Sequence, residues 1–216
     1  MLKKNKNQII LTAAITLLPA FIGLILWNRL PEQLPTHWNF AGEVDGWSSK
    51  AFGVFFIPLL MTAIQIFTAV MMCIDPKNTV KKQNIPDKLF SIILWILPVV
   101  SIVISAVMYL AALDIPINIT LVMGLLLGML FIIMGNYMPK CRQNYTLGIR
   151  LPWTLDNEEN WHKTHRLAGK VFVLCGIFLL ISSFLNLFKI ALGVALFSTL
   201  LIPTGYSYFL FTKQQH

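Results

Sequence analysis

The densest collection of reactive side chains lies in one polar stretch, Gly135–Lys170, which reads GNYMPKCRQNYTLGIRLPWTLDNEENWHKTHRLAGK. It holds six of the seventeen basic residues, two of the four histidines and two of the six tryptophans. Glu159, His162 and His165 recur three apart, a spacing that shares a helical face, and E-x-x-H occurs in carboxylate-bridged metal sites. Those sites also draw carboxylates from other helices, and this chain offers no inward-facing partner. Lys163 and Arg166 flank the histidines and would repel a further cation. The histidines are therefore expected to face solvent or lipid headgroups, with no metal and no cofactor. Cys141 has only basic neighbours, and no Ser-His-Asp order stands out, so the chain is not expected to be an enzyme. Arg142 and Arg150 suit contact with phosphate or carboxylate, and Arg150 can make it bidentate.

The elements that position these groups are membrane spans. Of 216 residues, 56% are hydrophobic and 12% charged, where soluble domains carry about 25% charge. Apolar blocks of about 18–25 residues recur, enough to cross a hydrocarbon core as helices. The runs Ile9–Trp27, Ala51–Ile74, Leu89–Leu113, Ile119–Met134, Val171–Leu187 and Ile190–Phe211 read as six spans. The first resembles a signal peptide, but its length and the lack of an A-x-A site favour a retained span. Pro58 and Pro98 predict kinks, Asp114–Asn118 a tight turn and Phe188-Lys189 a short hairpin. The fold class expected is an all-α, polytopic integral membrane protein of six transmembrane helices.

Basic residues set the orientation. Fourteen of seventeen fall in the N-terminal segment, Asp75–Lys88, Gly135–Lys170 and the C-terminal segment; only Arg29, Lys50 and Lys189 lie in the alternate connections. Both termini are thus expected in the cytoplasm. This topology accounts for the net charge of +8, so nucleic acid is not expected as a partner, whereas anionic lipids are. Three modules follow: 1–75, with two spans and an outer loop at 28–50; 76–134, with spans three and four; and 135–216, with the inner stretch 135–170 and spans five and six. No ionisable side chain lies mid-span, which speaks against a proton-coupled pump. Gln65 is expected to bond between helices, and Gly124-x-x-x-Gly128 to let two helices approach closely.

The outer loop Asn28–Lys50 carries Pro31 and Pro35, then His37, Trp38, Asn39, Gly42, Asp45, Gly46, Trp47, Ser49 and Lys50. It is expected to be turn-rich and irregular. It can be an interfacial loop with tryptophans at the headgroups, or a rigid recognition surface. With no second ligand at a plausible spacing, His37 is not a metal site. The pattern P-x-x-x-P-x-H-W-N-x-x-G-x-x-D-G-W-x-S-K resembles the N-terminal module, of uncharacterised function, of the SdpI family of bacterial membrane proteins.

In the inner stretch, Asp156 is a plausible N-cap with Glu159 three residues on. The helix it opens is expected to run into the fifth span, with Trp161, Thr164, Ala168 and Val171 on one face. Glu158, His162, His165, Arg166 and Gly169 fall on another. Gly148 permits a sharp bend, and Pro152 disfavours helix at Leu151. Gly135, Asn136, Met138, Asn144, Gly148, Arg150, Pro152, Trp153, Thr154, Leu155, Glu158 and Trp161 together resemble the C-terminal signature of the same family. The stretch can be an anchoring segment with an interfacial Trp153, or a docking surface. What the resemblance implies is immunity: protection of a bacterium from a secreted, membrane-active peptide toxin at the plasma membrane. It also implies signalling, in which the toxin-engaged protein holds a cytoplasmic transcriptional repressor at the membrane. The alternative is a lipid- or solute-handling transporter or enzyme that binds a headgroup or phosphate at Arg142 and Arg150.

Overall fold

A computed structural model describes residues 2–39, 41–76 and 85–213. In chain order the elements are α1 (Leu2–Ile25), β1 (Gln33–Trp38), β2 (Val44–Ser49), α2 (Ile57–Ile74), α3 (Asp87–Ala112), α4 (Ile119–Tyr137), a short α5 (Pro152–Asp156), α6 (Glu158–Phe184) and α7 (Phe188–Lys213). Among the described residues, six helices are long and apolar enough to cross a membrane, in agreement with the six-span expectation. Of the basic Asp75–Lys88 connection, Lys77, Lys81 and Lys82 lie outside the described residues.

The chain divides into two compact units. The first comprises Met1–Val70 with Ser91–Val122, and the second Met71–Phe90 with Met123–His216. In the first unit, a polar seam joins α1, α2 and α3. Gln65 accepts from the Thr16 hydroxyl, and its amide reaches the Leu94 carbonyl at 3.4 Å. Ser101 Oγ donates to the Thr16 carbonyl at 2.8 Å, and the Tyr109 hydroxyl to the Pro19 carbonyl at 2.9 Å. Each satisfies a polar atom that the apolar surroundings would otherwise leave unpaired. The interhelical role expected of Gln65 is thus observed. Leu30, Leu34, Val54, Met108 and Tyr109 form the apolar core beside this seam. The irregularity announced by Pro58 falls in the preceding turn, where Phe52–Phe56 is π-helical.

Asn28–Lys50 departs from the irregular loop expected of it. Most of it is an antiparallel hairpin in which Gln33 pairs with Ser49, Pro35 with Trp47 and Trp38 with Val44, with slips in register around His37. Two prolines suggested a break. In a two-stranded ribbon, however, an outward edge needs no donor, so Pro35 costs no ladder bond.

In the second unit, glycines bring α4 and α6 together. A methyl placed on Gly128 would lie 2.9 Å from the Gly176 carbonyl oxygen, and one on Gly135 2.7 Å from that of Gly169. Backbones pack this closely only where no Cβ intervenes. Cys175, Leu179, Phe188, Ala191 and Ala195 build the α6–α7 core. The turn between those helices lies at Leu185–Leu187 rather than at Phe188-Lys189, which opens α7. Asn186 sits there at φ 56°, a conformation asparagine tolerates.

Candidate functional site

Two surfaces hold the residues singled out by sequence, one in each unit. The first is the hairpin. Asn39 closes its tip: its side-chain carbonyl accepts from the backbone N–H of Ala41 at 2.7 Å and Glu43 at 3.1 Å. Gly42, at φ 82°, completes the turn. Across the ribbon His37 Nδ1 meets Asp45 Oδ1 at 2.5 Å on the exposed surface. Gly46, opposite His37, leaves room for that ring, since a methyl there would lie 2.9 Å from the His37 Cβ. Trp47 is 57% exposed, whereas Trp38 packs against the core of the first unit. Lys50 differs from its neighbours. It is buried, with its ammonium 2.9 Å from Glu32, 3.2 Å from the Trp27 carbonyl and 5.1 Å above the Trp27 ring. Its charge ties the hairpin base to the end of α1. His37, Asp45 and Trp47 are exposed on the hairpin surface.

The second surface is Gly135–Lys170, and its centre is a buried polar network. Asn144 is wholly buried. Its carbonyl oxygen accepts from the N–H groups of Thr146 (2.9 Å) and Leu147 (2.6 Å), and its amide donates to the Arg142 carbonyl at 2.8 Å. Asp75, at the end of α2, accepts from the Tyr145 N–H at 2.8 Å and the Thr146 hydroxyl at 2.7 Å. Arg150 donates to the Tyr145 carbonyl at 2.7 Å from an exposed position. Gly148 turns the chain at φ 94°, and a methyl there would lie 2.3 Å from His165 Nε2.

That histidine is the largest correction. His165 does not face solvent or headgroups with His162; it is wholly buried. Its Nε2 accepts from the Ile149 N–H at 3.0 Å, its Nδ1 donates to the Trp161 carbonyl at 2.8 Å, and its ring stacks on Trp161 at 4.0 Å. Both nitrogens are used in the neutral form, and Gly148 supplies the space. Glu159 pairs with Lys163 at 2.6 Å, and His162 lies 3.8 Å from Glu158. The three residues of the E-x-x-H-x-x-H pattern therefore turn to three different partners.

The start of α6 also differs. The N-cap is Asn157, whose side chain accepts from the Asn160 N–H at 2.8 Å, not Asp156. Pro152 opens a separate helical turn that ends at Asp156. As expected of a pre-proline residue, Leu151 is extended. Thr154 locks the turn, with its hydroxyl donating to the Ile149 carbonyl (2.8 Å) and accepting from the Leu151 N–H (2.9 Å). Trp153 stacks with Phe211 and donates to Ser207 Oγ at 3.1 Å. Trp161, fully buried, donates to the Cys141 carbonyl at 2.8 Å. Burial pushes the Cys141 thiol up to about 11, so at neutral pH it is not a thiolate nucleophile. Glu158, Asn136 and Arg166 are exposed.

Sequence reasoning missed Asp75, Gln143 and Asn160. Gln143 donates to the Thr154 and Leu155 carbonyls at 2.8 and 2.7 Å. Asn160 donates to the Ser207 carbonyl at 2.9 Å and accepts from Thr164 at 3.0 Å. The Asn160–Thr164 spacing was the available signal, because residues four apart meet on one face.

Chemically, this arrangement holds a loop rigidly against the start of a span and presents its cations outward. Comparisons with known proteins bear on both surfaces. The family model described as "Domain of unknown function (DUF1648)" matches residues 14–62, which include the hairpin. The model described as "SdpI/YfhL protein family" matches residues 140–207. A curated relative, the "Immunity protein SdpI" of Bacillus subtilis (strain 168), is 34% identical over 186 residues, covering 85% of this chain and 83% of that protein. No solved structure matches.

Proposed function

Because this chain belongs to the SdpI/YfhL family of multi-pass bacterial cell-membrane proteins, we propose that it is an immunity protein that protects its bacterium from a secreted, membrane-active peptide toxin. The observation that carries this reading is the extent of the similarity to a protein named for immunity, which spans most of both chains. In this reading both termini are cytoplasmic, so the hairpin lies outside and Gly135–Lys170 inside. The toxin meets His37, Asp45 and Trp47, an exposed aromatic beside an ion pair on a ribbon pinned at its base and tip. No step in this role needs catalysis. The inner loop of Asn144, Gly148, Arg150 and Thr154 forms a platform on which the toxin-engaged protein holds a cytoplasmic repressor.

Deletion and complementation in the native host, under challenge by peptides secreted by that host and its neighbours, test the proposal. A deletion strain should be sensitive to one such peptide and be rescued by the full chain. Unchanged sensitivity to every peptide would remove the immunity role. Cysteines placed singly at Ser48 and at Glu158 test the orientation: an impermeant thiol reagent should label the first, and not the second, in intact cells.

A further inference from the structure

The charges of α6 fall into two groups. In its first turns each basic side chain has an acidic partner four residues earlier: Lys163 with Glu159 at 2.6 Å, and His162 near Glu158 at 3.8 Å. The next two cations, Arg166 and Lys170, are also four apart, but they are exposed and carry no ion pair or hydrogen bond among the described residues. Like charges at this spacing repel. Both line one groove between α4 and α6, and Asn136 completes its polar end.

The groove has a structural cause. Gly135 and Gly169 form its floor, where the two backbones meet too closely for a Cβ. At Met138–Lys140 the chain leaves α4 in a 3-10 turn, whose Pro139 packs against Gly169 and lines the groove beside Arg166 and Lys170. Lys140 lies 4.4 Å above the Tyr137 ring. Beyond Lys170 no charge follows until Lys189. The groove wall continues as Val173 and Leu174, the latter 67% exposed. Two unpartnered cations and an amide thus stand at the head of an apolar wall.

We infer that this groove binds an anionic phospholipid, with its phosphate between Arg166 and Lys170, its headgroup against Asn136 and an acyl chain along Val173 and Leu174. The phosphate supplies the negative charge that α6 lacks at these two turns, and guanidinium and ammonium are the groups that take it. The apolar wall distinguishes a lipid from free phosphate. This site is independent of the toxin-immunity reading.

Native mass spectrometry of the detergent-purified full chain, titrated with phosphatidylglycerol or phosphatidylcholine, tests it. Phosphatidylglycerol should bind in preference, and the doubly substituted Arg166→Gln/Lys170→Gln chain should bind it at least about tenfold more weakly. Lys213→Gln, which removes an exposed charge at the far end of α7, should leave binding unchanged, and inorganic phosphate should not displace the lipid. Equal binding of both lipids, equal loss in Lys213→Gln, undiminished binding by the double variant or displacement by inorganic phosphate would each overturn the site. A thermal melt of each variant confirms that it is folded.

Discussion

The hairpin and the Gly135–Lys170 stretch contrast in where their polar groups point. In the hairpin the ion pair His37–Asp45 and the indole of Trp47 lie at the surface, and the ribbon is held by its base and its tip turn. In the inner stretch, Asn144, Thr154, Asn160 and His165 are all wholly buried and bonded to backbone. A buried polar group costs little while paired and much once its partner is lost. The hairpin is therefore built to lose side chains without unfolding, and the inner stretch is not. Polarity in a membrane protein's connections does not by itself mark a contact surface.

Substitutions that set stability against protection sharpen this contrast. The largest effect is expected for Trp161→Ala, which empties a fully buried site and strands the Cys141 carbonyl; a loss of about 3–5 kcal/mol should appear in detergent melts. Gly148→Ala should cost about 1–3 kcal/mol, since it meets His165 and strains a left-handed φ. Arg150→Ala should lose protection while the protein still reaches the membrane, as detected by fractionation and survival; full protection would take this loop out of the mechanism. Removing the exposed His37–Asp45 pair with Asp45→Asn should change stability by only about 0.2–1 kcal/mol.

The Cys141 thiol gives a finer test of inner burial. Its folded value is raised to about 11 from an ordinary 9.0. The neutral form is thus favoured by folding, so its contribution to stability is complete below pH 9 and is lost as pH rises towards 11. At pH 7.5 alkylation of the folded protein should leave Cys141 unmodified by mass spectrometry. Rapid labelling there would contradict the packing around Asn144 and Trp161.

Much of the fold was legible because spans are written in long apolar runs and small residues. The six helices, the Gln65 bridge and the close approach at Gly128 all follow from residue type and spacing. The hairpin was hidden by Pro31 and Pro35, whose usual meaning as breakers fails at a ribbon edge. At the α6 start, Asp156 and Asn157 are both good caps, and only the separate Pro152 turn decides between them. His165 falls by helical spacing on a face with Glu158 and His162, although its spacing of four from Trp161 also allows the buried face. The deciding factor, the space left by Gly148, is a tertiary contact. Asp75 escaped notice for the same reason, because its partners, Tyr145 and Thr146, lie seventy residues away.

The most direct test of the division between contact surface and scaffold is survival of the deletion strain under graded peptide challenge when it carries Trp47→Ala. The indole is exposed, so the variant should fold, reach the membrane at the level of the unsubstituted chain and fail to protect. Full protection by a membrane-located Trp47→Ala protein would contradict the assignment of the hairpin as the surface that meets the toxin.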